Sequence, residues 1–129
     1  MADAVEKADR KAFCEKILKR GKQIHFIGVG GVGMISLFAF CRNFGFKVSG
    51  SDIRETPALR KLISDGERIT IGHNRELVKN ADIVVYTTAV GENDPEFSEA
   101  KERGIPTLSR AEFLGIIMKE YKTRIGVSG

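Results

Sequence analysis

The sequence is poor in the residues that staple a small domain or hold a metal. Its two cysteines, Cys14 and Cys41, are too few for a disulfide framework, and each lies among apolar neighbours in a helical pattern, which reads as a buried free thiol. The two histidines, His25 and His73, are far apart and have no Cys-x-x-Cys or His-Glu-x-x-His pattern near them, so no zinc site is expected. No apolar run is long enough to span a bilayer, and no charged-then-apolar leader opens the chain. A cytoplasmic protein without a membrane partner is the expectation. Repeats and low-complexity tracts are absent too. At 129 residues, with 42% hydrophobic residues in short runs, one domain can bury its own core.

The net charge of +4 is unevenly placed. Residues 1–22 carry seven Lys/Arg against four Asp/Glu, leaving fourteen against thirteen for the rest. A nearly neutral body with a basic extension, and no aromatics interleaved with its lysines, argues against a nucleic-acid partner. Residues 1–21 read as an amino-terminal helical extension: Val5, Ala8, Ala12, Phe13 and Ile17 share one side of a helix over 3–20, and Gly21 stops it.

From residue 22 to residue 129, short apolar strands alternate with helical segments. Strands are expected around Ile24 to Ile27, Phe46 to Ser51, Arg68 to Ile71, Asp82 to Thr87, Ile105 to Leu108 and Lys122 to Val127. Helices are expected after Met34, from Thr56-Pro57 to about Ser64, briefly near Arg75 to Lys79, from a start at Asn93-Asp94-Pro95-Glu96 to Gly104, and from Ser109 to Tyr121 with a Ser109/Glu112 capping box. This alternation predicts an α/β fold, a doubly wound parallel sheet of about five to six strands with helices on both faces. Ligands of such sheets bind at the carboxyl ends of the strands.

The stretch Ile24 to Met34, I-H-F-I-G-V-G-G-V-G-M, puts G-x-G-x-x-G where a strand becomes a helix. Gly28 permits a tight turn, Gly30 lets backbone approach a ligand, and Gly33 lets helix and sheet pack closely. The helix after it aims unpaired N–H groups and its positive dipole end at the same point, which suits a diphosphate. Asp52 follows the second strand, 19 residues after Gly33, where a carboxylate accepts from ribose hydroxyls or caps the next turn.

His73 follows a strand and a glycine and could stack on a base, donate to a phosphate or face solvent. Thr87, Thr88 and Ala89 offer small side chains and N–H groups at a strand end. Asn93, Asp94 and Glu96 crowd a helix start, where capping accounts for Asp94 and Glu96. Arg110, in a first helical turn, opposes the dipole preference and so favours an anionic ligand or an ion-pair partner. No nucleophile with a base, no paired carboxylates and no metal-ligand set emerges, so the chain binds and does not catalyse.

Taken in order, I-H-F-I-G-V-G-G-V-G-M, V-S-G-S-D at 48–52, I-G-H at 71–73, T-T-A-V with N-D-P-E at 87–96, I-P-T-L-S-R-A-E-F-L at 105–114 and I-G-V-S-G at 125–129 resemble the amino-terminal, UDP-substrate-binding domain of the Mur ligase family. The resemblance spans about residues 22–129 and implies a Rossmann-like domain that holds UDP-N-acetylmuramate. It implies that Gly28, Val29, Gly30, Gly31, Val32, Gly33 and Met34 cradle the diphosphate, that Ser51 and Asp52 face the uridine, and that His73 lies near the nucleotide. Thr87, Thr88, Ala89, Val90 and Asn93 would line the muramoyl sugar and diphosphate, and Arg110 would approach the same ligand.

In that family an ATP loop, T-H-G-K-T, comes directly after. The expectation is a fragment with no cofactor of its own, from a parent that uses ATP and Mg to activate the muramoyl carboxylate as an acyl phosphate and join L-alanine to it. Residues 3–20 match no family motif, and I-S-L-F-A-F after the loop is bulkier than the family's small-residue pattern. Two other readings stay open: an NAD-binding domain of a dehydrogenase, and a non-catalytic nucleotide-sensing module whose basic helix docks a partner.

Overall fold

The structure, a computed structural model, describes residues 22–91 and 93–125. The helix expected over 3–20, with Cys14, lies outside the described residues. Five strands alternate with helices: β1 Gln23–Ile27, α1 Met34–Phe44, β2 Lys47–Asp52, α2 Pro57–Ser64, β3 Ile69–Ile71, a 3₁₀ turn Arg75–Val78, β4 Ile83–Tyr86, α3 Pro95–Glu102, β5 Thr107–Ser109 and α4 Arg110–Ile125. All four strand pairings are parallel, in the order β3-β2-β1-β4-β5. The chain winds outward from β1 through β2 to β3, then returns to the other side of β1 for β4 and β5. The switch point therefore lies between the ends of β1 and β4, at Gly28 and Thr87.

Sequence chemistry marks most element ends. Thr56 Oγ1 accepts from the Leu59 amide at 3.2 Å, with Pro57 at the first helical position. Asp94 caps α3 by accepting from the amides of Glu96 and Phe97 at 2.9 and 3.1 Å. The Ser109/Glu112 capping box closes in both directions.

Strand periodicity sorts the side chains onto two faces. Ile24, Phe26, Val48, Ile83 and Val85 join Leu37, Phe38, Cys41, Leu59, Phe113 and Ile117 in the larger core under α1, α2 and α4. Phe26 meets Phe38 edge to face at 5.6 Å between centroids. Burial pushes the Cys41 thiol up to about 12, in keeping with an inert core residue. The opposite face, under α3 and the 3₁₀ turn, has a smaller core of Ile27, Val78, Val84 and Ala100. His25, Ser49 and Ser51 alternate with the larger core's residues, so they point to this second face.

Of the sixth strand expected at 122–127, residues 122–125 are helical, since α4 continues to Ile125, and the described residues form a five-stranded sheet. No Gly or Pro stands between Gly115 and Gly126, so the helix keeps satisfying its own backbone, whereas a strand there would need a partner edge. The fifth strand also sits two residues later than expected, because Ile105-Pro106 serve as the approach to it.

One close approach ties the sheet to the segment after β1. A Cβ on Gly50 would lie 2.8 Å from the Cβ of Val29, which is fully buried. Gly50→Ala is expected to destabilise the protein by about 1–3 kcal/mol through overpacking, read as a lower urea midpoint at unchanged slope.

Candidate functional site

β1 ends at Ile27, and the chain turns at Gly28 with φ 79°. Four internal bonds shape the glycine loop. The amides of Gly28 and Val29 both donate to the Ser51 carbonyl, at 2.8 and 3.0 Å, the Gly31 amide donates to the Gly28 carbonyl at 2.9 Å, and the Met34 amide to the Gly31 carbonyl at 3.0 Å. Asp52 Oδ2 accepts from the Gly30 amide at 2.9 Å, while Oδ1 accepts from the Arg54 amide. Gly33, φ 78°, is the N-cap of α1 and supplies no side-chain cap. Among the described residues, no hydrogen bond reaches the amides of Val32, Gly33, Ile35 and Ser36. Four donors and a positive helix end thus converge beside an almost fully exposed Val32, at 96%, an arrangement suited to an anion.

Thr87 and Arg110 flank this loop. A Cβ on Gly28 would meet Thr87 Oγ1 at 2.9 Å and Val90 Cγ2 at 3.5 Å, and one on Gly33 would meet Arg110 Nη1 at 3.2 Å. Arg110 forms no ion pair among the described residues, so its misplacement at a helix start is not compensated by a protein carboxylate. A groove of ≈ 400 Å³ runs from Gly33 and Arg110 along α1 and α4, lined by Leu37, Phe40, Leu114 and Ile117. Its apolar body offers no chemistry for phosphate, and it meets the loop at Gly33. Thr88, Ala89 and Asn93 are exposed beyond the end of β4, with no hydrogen bond to the loop among the described residues.

Beneath the loop lies a cluster that the sequence did not announce. Glu96, expected to cap α3, is instead fully buried; the cap is Asp94 alone. Glu96 Oε1 is 2.6 Å from His25 Nε2 and accepts from Ser51 Oγ at 2.6 Å. Its Oε2 is 2.8 Å from His73 Nδ1 and accepts from the Asn74 amide at 3.1 Å. His25 Nδ1 reaches Ser49 Oγ at 2.8 Å, and His73 Nε2 lies 3.2 Å from Asp94 Oδ2.

These contacts revise two expectations. Both ring nitrogens of His73 face carboxylates, so donation from His73 to a phosphate is not available and only the ring face and edge are left. The Ser51 hydroxyl is fully buried and committed to Glu96, and its carbonyl already serves two loop amides. His73, Asp94 and Glu96 are the one group of metal-ligating types among the described residues with donor atoms mutually within 4.8 Å. Each His73 nitrogen faces a different carboxylate, so the group is tied together by contacts between its own side chains.

Glu96 is pulled in two directions. Burial, the largest single influence, raises its pKa, but the hydrogen bonds from His25 and Ser51, the attraction of His25 and the hydrogen bond to His73 together bring it below the ordinary carboxylate value. A signal for this cluster was present: His25 interrupts an apolar strand, and Ser49 and Ser51 share its face, so three polar groups on an inner face required a common partner.

The family model described as Mur ligase family, catalytic domain, matches residues 23–122. The chain belongs to the Mur ligase family. A UDP-N-acetylmuramate--L-alanine ligase of Clostridium botulinum is 50% identical over 113 residues, covering 88% of this chain and 25% of that protein. The ligase of the same name from Acetivibrio thermocellus is 51% identical over 108 residues, 84% of this chain and 23% of the relative. The solved UDP-N-acetylmuramate-alanine ligase of Thermotoga maritima superposes with a TM-score of 0.74 at 31% identity, over 78% of this chain and 23% of that one. The chain spans about a quarter of the length of the curated relatives it matches.

This Mur ligase family domain carries a testable pH dependence. A carboxylate with a lowered folded-state pKa contributes stability above its unfolded value, ordinarily 4.5, and loses it as pH falls through the folded value. Melting temperature is therefore expected to fall on acidification below the unfolded value of 4.5. Glu96→Gln should lower stability at pH 7 by roughly 3 kcal/mol and flatten that acid limb, as followed by thermal unfolding across pH.

Proposed function

We propose that this domain binds UDP-N-acetylmuramate for a ligase that joins L-alanine to it in peptidoglycan precursor synthesis. The observation that carries the reading is the set of unbonded amides at Val32, Gly33, Ile35 and Ser36 beside the unpaired Arg110 guanidinium. Together they offer a diphosphate both directed donors and a compensating charge. Gly28 to Met34 cradle the diphosphate. Asp52, one oxygen of which already holds Gly30, turns its remaining acceptor capacity toward the uridine side, and the ring of His73 lies along the nucleotide.

Thr87 to Val90 and Asn93 line the muramoyl end. Ser51 contributes through the backbone it holds, since its hydroxyl is turned away. ATP, Mg and L-alanine belong to the activity of the whole ligase, in which the muramoyl carboxylate is activated as an acyl phosphate before the amine attacks. Among the described residues no helix is long and apolar enough to cross a membrane, and a nucleotide-linked substrate fits a cytoplasmic setting. The dehydrogenase reading shares the fold and the glycine spacing, but family membership favours the ligase.

Titration calorimetry tests the assignment. UDP-N-acetylmuramate is expected to bind and NAD is not; the reverse result would sink the reading. Arg110→Ala should weaken UDP-N-acetylmuramate binding about tenfold, the value of one charge-assisted hydrogen bond, while unfolding stability moves by less than about 0.5 kcal/mol.

A further inference from the structure

We propose that Glu96 is a positioning residue that, through Ser51, holds the glycine loop in the shape that keeps the amides of Val32 and Gly33 turned to a ligand. The reading of those amides as a diphosphate site rests on the function proposed above; the relay itself does not.

The geometry is a chain of contacts through one residue. Glu96 lies on α3, on the face opposite the larger core into which Val29 packs, so α3 cannot brace the loop directly. Ser51, at the carboxyl end of β2, joins the two sides. Its hydroxyl donates to Glu96 Oε1 at 2.6 Å, and its carbonyl accepts from Gly28 at 2.8 Å and Val29 at 3.0 Å. No other carbonyl among the described residues receives two loop amides.

The groups facing Glu96 come from every neighbouring element: His25 from β1, Ser51 from β2, and His73 and Asn74 from the turn after β3. Asp94, at the head of α3, grips His73 from the other side. The carboxylate thus joins three adjacent strands, and Ser51 is its bonded link to the loop. The link is tertiary and not local, since the Ser51 hydroxyl reaches a partner 45 residues along the chain.

The experiment uses the full 129-residue chain, isotopically labelled, with Ser51→Ala and Glu96→Gln. Ser51→Ala leaves the His25–Glu96 and His73–Glu96 pairs in place, so it decides the matter even if Glu96→Gln folds poorly. Hydrogen exchange at the Gly28 and Val29 amides is expected to rise about tenfold or more in each variant, while the Ile117 amide on the far helix stays protected.

In the unaltered protein the Gly28 and Val29 amide resonances should shift as acid protonates Glu96, and Ser51→Ala should abolish that coupled shift. Affinity for UDP, used as the probe, should drop about tenfold in each single variant, and the double variant should be no weaker than Glu96→Gln alone. Unchanged exchange at Gly28 and Val29 in Ser51→Ala, or a persisting coupled shift, would overturn the relay, as would losses of UDP affinity that add. If UDP fails to bind the unaltered protein, the ligand assignment falls, and the exchange and titration results still decide the relay.

Discussion

A carboxylate removed from water costs several kcal/mol unless donors replace its hydration, and that constraint organises the centre of this molecule. Glu96 is fully buried and receives His25, Ser51, His73 and the Asn74 amide. Those four partners come from β1, β2 and the turn after β3, so satisfying one side chain ties α3 to three adjacent strands of the sheet. No buried side-chain polar atom among the described residues lacks a hydrogen bond. The second face accordingly needs less apolar packing than the first: its core has four buried residues, and the ion-pair cluster occupies the space beside them.

The placement of donors divides the glycine loop into two functional halves. In the first half, Gly28 to Gly31, the amides are bonded to Ser51, Asp52 and the loop itself, which fixes the turn. In the second half, Val32 and Gly33 with the first turn of α1, the amides of Val32, Gly33, Ile35 and Ser36 have no hydrogen-bond partner among the described residues. A loop that used all its amides internally would be rigid but inert, and one that used none would be too mobile to present them. The observed split gives a preorganised set of donors, so little ordering cost is left for binding.

Much of this was legible in the sequence because it is local. The strand alternation, the Thr56-Pro57 and Asp94-Pro95 helix starts, the Ser109/Glu112 box and the glycine spacing each involve residues within a few positions of one another, and all stand in the structure. The approach of Thr87 to the loop also follows from the pattern, since parallel topology sends the carboxyl ends of the strands to one edge, whereas Arg110 was tied to the same ligand only by the family resemblance. Glu96 was missed for the complementary reason. Its immediate neighbours Asp94-Pro95 explain an acidic residue at a helix start completely, and its true partners lie 71, 45 and 23 residues away. The strand expected at 122–127 failed differently: a β-like pattern there competes with a helix already under way, and propagation costs less than nucleating a new element.

These two failures bear on what the family match means physically. Motifs that can be matched as short ordered strings, such as V-S-G-S-D and N-D-P-E, look like separate signatures when read along the chain. In the structure they are two halves of one object, because Ser51 from the first and Glu96 from the second share a hydrogen bond, with Asp52 beside the former holding Gly30 and Asp94 beside the latter holding His73. Each string therefore contains one residue turned toward the interior and one turned toward the loop or the turn next to it. A substitution in either string should be judged by the partner in the other, since removing one member leaves a buried charge or hydroxyl unpaired, while the loop amides proposed to bind the diphosphate stay chemically intact and lose only their placement.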